Sequence, residues 1–175
     1  MIRIILFITA CILRSYTFAQ INVSTQHNNL SRTGENTKET ILNIDNVNQS
    51  SFGKIFTRTV DDQIYAQPLI ISGVNIPGKG KRNVVFVATV NNSVYAFDAE
   101  TPAESNFLWK TSFLSTGVVP PRNTDMTGAC GGNYLDFTGN MGIVGTPVID
   151  TVTGILYVVA RTKEGTNYVQ KLHGL

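Results

Sequence analysis

Residues 94–101 read VYAFDAET: four strand formers end on an aspartate, and a threonine follows three positions later. A short polar side chain at the end of such a run can accept the backbone N–H groups just beyond it, so Asp98 and Thr101 predict a tight turn between two strands. Working outward, the neighbouring runs have the same character: FGKIFTRTV at 52–60, QIYAQPLIISGVNI at 63–76, NVVFVATV at 83–90, LWKTSF at 108–113, GTPVID at 145–150, ILYVVART at 155–162 and NYVQKL at 167–172. Each is short, rich in β-branched and aromatic residues, and bounded by Gly, Pro, Asn or Asp. No window carries apolar residues at i, i+3, i+4 and i+7 over helical length, so the chain is predicted to be all-β.

The strands repeat. Gln67-Pro68-Leu69-Ile70 aligns with Thr146-Pro147-Val148-Ile149, Val85 to Thr89 with Tyr157 to Arg161, and Val94-Tyr95-Ala96-Phe97 with Leu172-His173-Gly174-Leu175, at separations of 79, 72 and 78 residues. The tip Asn75-Ile76-Pro77-Gly78-Lys79-Gly80-Lys81 in the first copy accounts for the uneven spacing. Self-similarity at this period, with short antiparallel strands in each unit, predicts propeller blades, the alternative being a β-sandwich whose strands look alike.

The N-terminus reads as an export signal. Met1-Ile2-Arg3 precedes an apolar run over residues 4–13, and a small residue, Ala19, marks the expected cleavage point. The run is shorter than the roughly 20 residues that span a bilayer. A second reading places Cys11 in a loose lipobox as a lipidated terminus. Cleavage after Ala19 removes Arg3 and Arg14 and no acid, leaving a formal charge of zero. A neutral chain without a charge run offers no footing for nucleic acid or for a polybasic membrane contact. The expected location is secreted or periplasmic, with no membrane span. Cys130 is then the one remaining thiol, either a small buried hydrophobe or one that awaits a partner.

The expected organisation is a signal peptide at 1–19, an extended Asn- and Thr-rich entry segment at 20–51, and a partial propeller at 52–175. Within it lie a first blade at about 60–114, a loop at 115–140, and a second blade from about 141. The final KLHGL at 171–175 stops one residue before the counterpart of Asp98. A closed propeller takes four to eight blades of roughly 40 residues each, and about two fit here. The chain therefore reads as the N-terminal part of a longer propeller whose remaining blades are its partners; a small complete β domain, or closure between chains, is the alternative.

Ala96-Phe97-Asp98-Ala99-Glu100-Thr101, followed by Leu108-Trp109-Lys110, resembles the repeat of the pyrroloquinoline-quinone (PQQ) dehydrogenase-like propellers. There, Ala-x-Asp-x-x-Thr-Gly turns one strand into the next and a following Trp docks on the neighbouring blade. Pro102 replaces the usual glycine, and Trp109 lies three residues further on than in the compact motif. Arg32-Thr33-Gly34, Phe52-Gly53-Lys54-Ile55-Phe56, Tyr65-Ala66-Gln67-Pro68-Leu69 and residues 142–150 extend the resemblance over about 25–175. It implies repeat-motif roles for Ala96, Asp98, Thr101 and Trp109. In the catalytic members of the family it also implies PQQ held near the axis beside calcium. The adjacent cysteine pair of some of those enzymes is absent here, and no acidic residue sits in a matched cofactor motif, so no catalytic or metal residue is assigned. Gln67 and Thr146 precede the prolines that open the innermost strands, and are the axis-facing candidates for a ligand.

Other signals give little chemistry. Asp61-Asp62 reads as a turn. Residues 77–82, PGKGKR, lack the Ser or Thr of a phosphate loop and read as a solvated hairpin tip. His27 and His173 have no Cys or carboxylate at ligand spacing, so no zinc site is predicted. Two functions follow: an exported, non-catalytic propeller module that scaffolds or binds, or the N-terminal part of a PQQ-dependent alcohol or sugar dehydrogenase whose catalytic residues lie downstream.

Overall fold

The computed structural model describes residues 22–103, 106–132 and 134–175; the expected signal peptide at 1–19, its expected cleavage point and Cys11 lie outside them. The described chain is all-β. Strands β1 (Leu69–Ile76), β2 (Gly80–Ala88), β3 (Ser93–Asp98) and β4 (Trp109–Ser112) form a four-stranded antiparallel sheet in the order β1-β2-β3-β4. Strands β5 (Val118–Val119), β6 (Val148–Asp150), β7 (Ile155–Glu164) and β8 (Asn167–Gly174) form a second. Tyr157 pairs with both Val148 and Gly174, and Lys163 with both Val119 and Tyr168. Strands β5 and β6 therefore share one edge of β7, and β8 takes the other.

Turn chemistry explains the hairpins. The β1–β2 turn closes with Lys79 N–H donating to the Ile76 carbonyl at 2.9 Å, and Gly78 has φ +74°, a conformation open to glycine at no steric cost. The turn covers 77–79 of the tip read at 77–82; Gly80, Lys81 and Arg82 already belong to β2. In the β7–β8 hairpin Glu164 pairs with Asn167 across two residues, the first of them Gly165 at φ +63°. In the entry segment, Asn29, Asn36, Asn43 and Asn48 each accept the backbone N–H two residues on, which is why so Asn-rich a stretch turns repeatedly and builds no ladder.

One hydrophobic core joins the sheets. Leu69, Val84, Phe86, Ala88, Val94 and Ala96 face Ile149, Leu156, Val158 and Ala160, with Ile143 buried among them. The far face of the first sheet carries Val87, Tyr95 and Phe97, covered by Val60 from the preceding irregular segment. The N-terminal stretch stitches both sheets: Val23 exchanges hydrogen bonds with Ile70 on β1, at 2.8 and 3.1 Å, while the Ser24 carbonyl accepts from Ile149 on β6 at 2.8 Å.

The strand order follows the alignment of the two copies, but the residue equivalence does not. Leu69, aligned with Val148, is 1% exposed and faces the core; Val148 is 41% exposed and its neighbour Ile149 faces inward. A one-residue slip on a strand exchanges its faces. The stretch read as a loop at 115–140 also contributes β5 to the second sheet, and two short 3-10 turns at Asn123–Asp125 and Ala129–Gly132. Cys130 in the latter is exposed rather than buried.

Between the sheets, the His173 ring of β8 stacks on Phe113 at 4.0 Å and 21°. Burial, helped by the charge of Lys171, pushes the His173 pKa below its ordinary 6.5. A histidine held neutral in the fold contributes stability that is complete above the unfolded-state pKa and lost as pH falls through the folded one. We expect the melting temperature to hold above about pH 6.5 and to fall below it. In His173→Phe the loss begins only in the carboxylate range; an unchanged profile in that variant would exclude His173 as its source.

Candidate functional site

The residues with the clearest local logic are those of the opening motif. Asp98, 2% exposed at the end of β3, accepts the N–H groups of Glu100 and Thr101 on Oδ1 at 2.8 and 2.9 Å. Its Oδ2 lies 3.2 Å from Arg82 Nε, an ion pair. Burial raises the carboxyl pKa, but the Glu100 and Thr101 hydrogen bonds and the Arg82 charge outweigh it and hold the group below its ordinary range. Arg58 Nη2 donates to the Thr101 carbonyl at 2.7 Å. Ala96 pairs with Trp109 across β3 and β4. The indole packs against Phe86 at 5.9 Å and lines the apolar cleft between the sheets with Ile149, Leu156 and Leu175. These four residues form a turn and an inter-sheet wedge.

Gln67 and Thr146, 79 residues apart, meet: the Gln67 N–H donates to Thr146 Oγ1 at 3.0 Å. Gln67 Oε1 in turn accepts the His27 N–H at 3.0 Å. The paired strand entries are thereby fixed to each other and to the N-terminal loop, beside a cleft of about 270 Å3.

Two groupings escaped the sequence reading. Asp61 lies in the bend read there, but it also gathers Thr89 and Ser93 hydroxyls at 2.8 and 2.6 Å, Asn91 Nδ2 at 3.2 Å and Lys110 Nζ at 3.1 Å. Burial pushes its carboxyl pKa up, and the hydrogen bonds from Ser93, Thr89, Lys110 and Asn91 more than offset that and hold it at about 2. Asp62 accepts from Asn140 at 2.8 Å. This cluster ties the segment before β1 to the β2–β3 turn. Asp61→Ala leaves Ser93, 1% exposed, without its acceptor, and we expect it to cost about 2 kcal/mol in urea unfolding; a change under about 0.5 kcal/mol, the size of an ordinary surface substitution, would show the cluster to be surface decoration.

The second is Asp150-Thr151-Val152-Thr153-Gly154 after β6. Asp150 accepts the Val152 N–H at 2.9 Å and the Thr153 hydroxyl at 2.8 Å. Its spacing, Asp-x-x-Thr-Gly, carries the glycine that Pro102 replaces after Asp98, and is contained in the local sequence.

The second sheet also has a bare side. Val148, Tyr157, Val159, Tyr168 and Leu172 are 41%, 38%, 45%, 55% and 69% exposed. The pairings Val148–Tyr157, Val159–Leu172 and Lys163–Tyr168 put them on one face, opposite the core. Arg161 and Gln170, paired on the same face, separate Tyr168 from the apolar patch of Val148, Tyr157, Val159 and Leu172, and Lys163 beside Tyr168 is ion-paired to Asp125. Among the described residues, no group of three His, Cys, Asp or Glu side chains could hold a metal ion, and no helix is long and apolar enough to cross a membrane.

Fold and site together define an all-β protein of two stacked antiparallel sheets, with an apolar patch of Val148, Tyr157, Val159 and Leu172 exposed on the outer face of the second. No protein-family model matches the chain, and no curated protein or solved structure is significantly similar to it.

Proposed function

We propose that the chain is an exported, non-catalytic scaffold of the quinoprotein-like propeller type, in which its two sheets are consecutive blades and the bare face of the second receives a further sheet of the same kind. The observation that carries this reading is that face. Val148, Tyr157, Val159 and Leu172 form an apolar patch on that face; apolar area left in water costs roughly 25 cal/mol per Å², and an exposed apolar patch marks an interaction surface. The first sheet supplies the comparison, since both of its faces are covered, one by the second sheet and one by Val60 and its neighbours. The Asp98 turn and the Trp109 wedge support the same reading, because they are the parts the resemblance implies. Export rests on the leader-like residues 1–19.

The test replaces Val159 and Leu172, directly paired on the bare face, by Thr, which keeps strand propensity and lowers apolarity. The wild type should bind an apolar dye such as anilinonaphthalene sulfonate and the double variant should not, with unfolding free energies within about 1 kcal/mol of each other. Equal dye binding by both would place the sticky surface elsewhere and remove the reading.

A further inference from the structure

We infer that the cleft between the N-terminal loop and the start of β1 binds a small uncharged group presenting a hydrogen-bond donor and acceptor side by side, the pattern shared by a carboxamide and a vicinal diol. The cleft is lined by Val23, His27, Asn28, Gly34, Asn36 and Gln67. None of these carries a fixed charge, which argues against an ionic ligand.

The hydrogen bonds already made determine what is left to offer. Gln67 Oε1 faces the His27 N–H, so its Nε2 donors turn the other way and have no acceptor among the described residues. His27 Nδ1 lies 3.2 Å from the Arg32 carbonyl. A carbonyl only accepts, so the proton sits on Nδ1, and in the neutral ring Nε2 is an unused acceptor. Asn28 Nδ2 donates to the Glu35 carbonyl at 2.7 Å, which leaves Asn28 Oδ1 as a second unused acceptor. One donor and two acceptors thus border one cleft, with Val23 supplying apolar surface.

The loop is also held in place before any ligand arrives. His27, Asn28 and Arg32 have φ of 57°, 71° and 58°, conformations that cost non-glycine residues free energy and persist where surrounding structure over-determines them. Here that structure includes Gly34 N–H to the His27 carbonyl at 3.2 Å and Arg32 Nη1 to the Gln26 carbonyl at 3.0 Å. Gln67 is itself anchored through Thr146 to the segment that leads into β6. Groups fixed in this way lose little freedom on binding.

The chain has two histidines, so His173 serves as an internal reference for His27 in imidazole NMR spectra. Acetamide, ethylene glycol and, as the anionic control, acetate are titrated separately into the full chain. The expected result is a saturable shift of the His27 resonances with acetamide or ethylene glycol, whichever source fits, and none with acetate or at His173. Gln67→Glu keeps an acceptor for the His27 N–H while removing the Nε2 donor, and Asn28→Gly removes an acceptor, along with the bond to the Glu35 carbonyl, while tolerating the left-handed backbone; each should weaken binding between about twofold and tenfold, the worth of one hydrogen bond. An unshifted His173 signal shows that the variants remain folded. Absence of a saturable His27 shift with either neutral probe, equal shifts at both histidines, saturation by acetate, or unchanged affinity in both variants would each overturn the inference.

Discussion

Gly142→Ala is expected to lose about 3–5 kcal/mol of stability, the range of severe core damage. A Cβ built at Gly142 would lie 2.5 Å from Asn92 Cγ and 2.5 Å from the Val90 carbonyl oxygen, with Asn92 Oδ1 closer still. Neither neighbour can yield. The Val90 carbonyl accepts the Gly142 N–H at 2.9 Å, and the Asn92 side chain is pinned by its Nδ2 hydrogen bond to the Arg161 carbonyl at 2.6 Å. Asn92 is fully buried, sits at φ +56°, and its own carbonyl accepts the Phe113 N–H at 3.0 Å. The β2–β3 turn thus reaches across to β7, and Gly142 is the gap that lets it. Equilibrium urea unfolding measures the loss, and Asn92→Gly in the Gly142→Ala background should recover only part of it because the Val90 carbonyl still clashes. A Gly142→Ala protein within 1 kcal/mol of wild type would mean that the two segments do not approach as described.

Asp98→Ala carries the next largest effect, about 2–4 kcal/mol. The substitution frees two turn N–H groups, leaves Arg82 without its counter-ion and opens a void at a site only 2% exposed. The pH dependence has a fixed sign: a carboxyl whose folded pKa is depressed adds stability above its unfolded value, and that stability disappears as pH falls through the folded one. Wild type and Asp98→Ala should therefore differ most at neutral pH and converge in strong acid. Curves that stay parallel down to the lowest pH would show that the carboxylate charge contributes nothing.

How much of this was legible in the sequence depends on the range of the interactions. The all-β class, a hairpin turn within 77–82 and the Asp98 turn are written in residues a few positions apart, where β-branching, glycine and a short acceptor side chain act directly. The facing of β6 was not, because Val148 and Ile149 are both apolar and composition cannot choose between them; the inter-sheet core chose Ile149. β5 is two residues long, too short to show a period. The Asp61 cluster reaches Lys110, 49 residues away, and Gly142 owes its identity to a turn around residue 90. Gln67 and Thr146 were singled out by their place before the prolines, and they meet; what the sequence did not contain was the His27 loop that makes their junction a cleft. The Asp150 turn is local in the same way, since Asp-x-x-Thr-Gly is contained in residues 150–154.

The account rests on the second sheet having a face that another sheet should cover. Sedimentation velocity over a range of protein concentrations tests this most directly: the wild-type chain should self-associate as its concentration rises, and the Val159→Thr, Leu172→Thr variant should sediment as a monomer throughout. A wild-type chain that remains monomeric at every concentration, with the variant indistinguishable from it, would contradict the account.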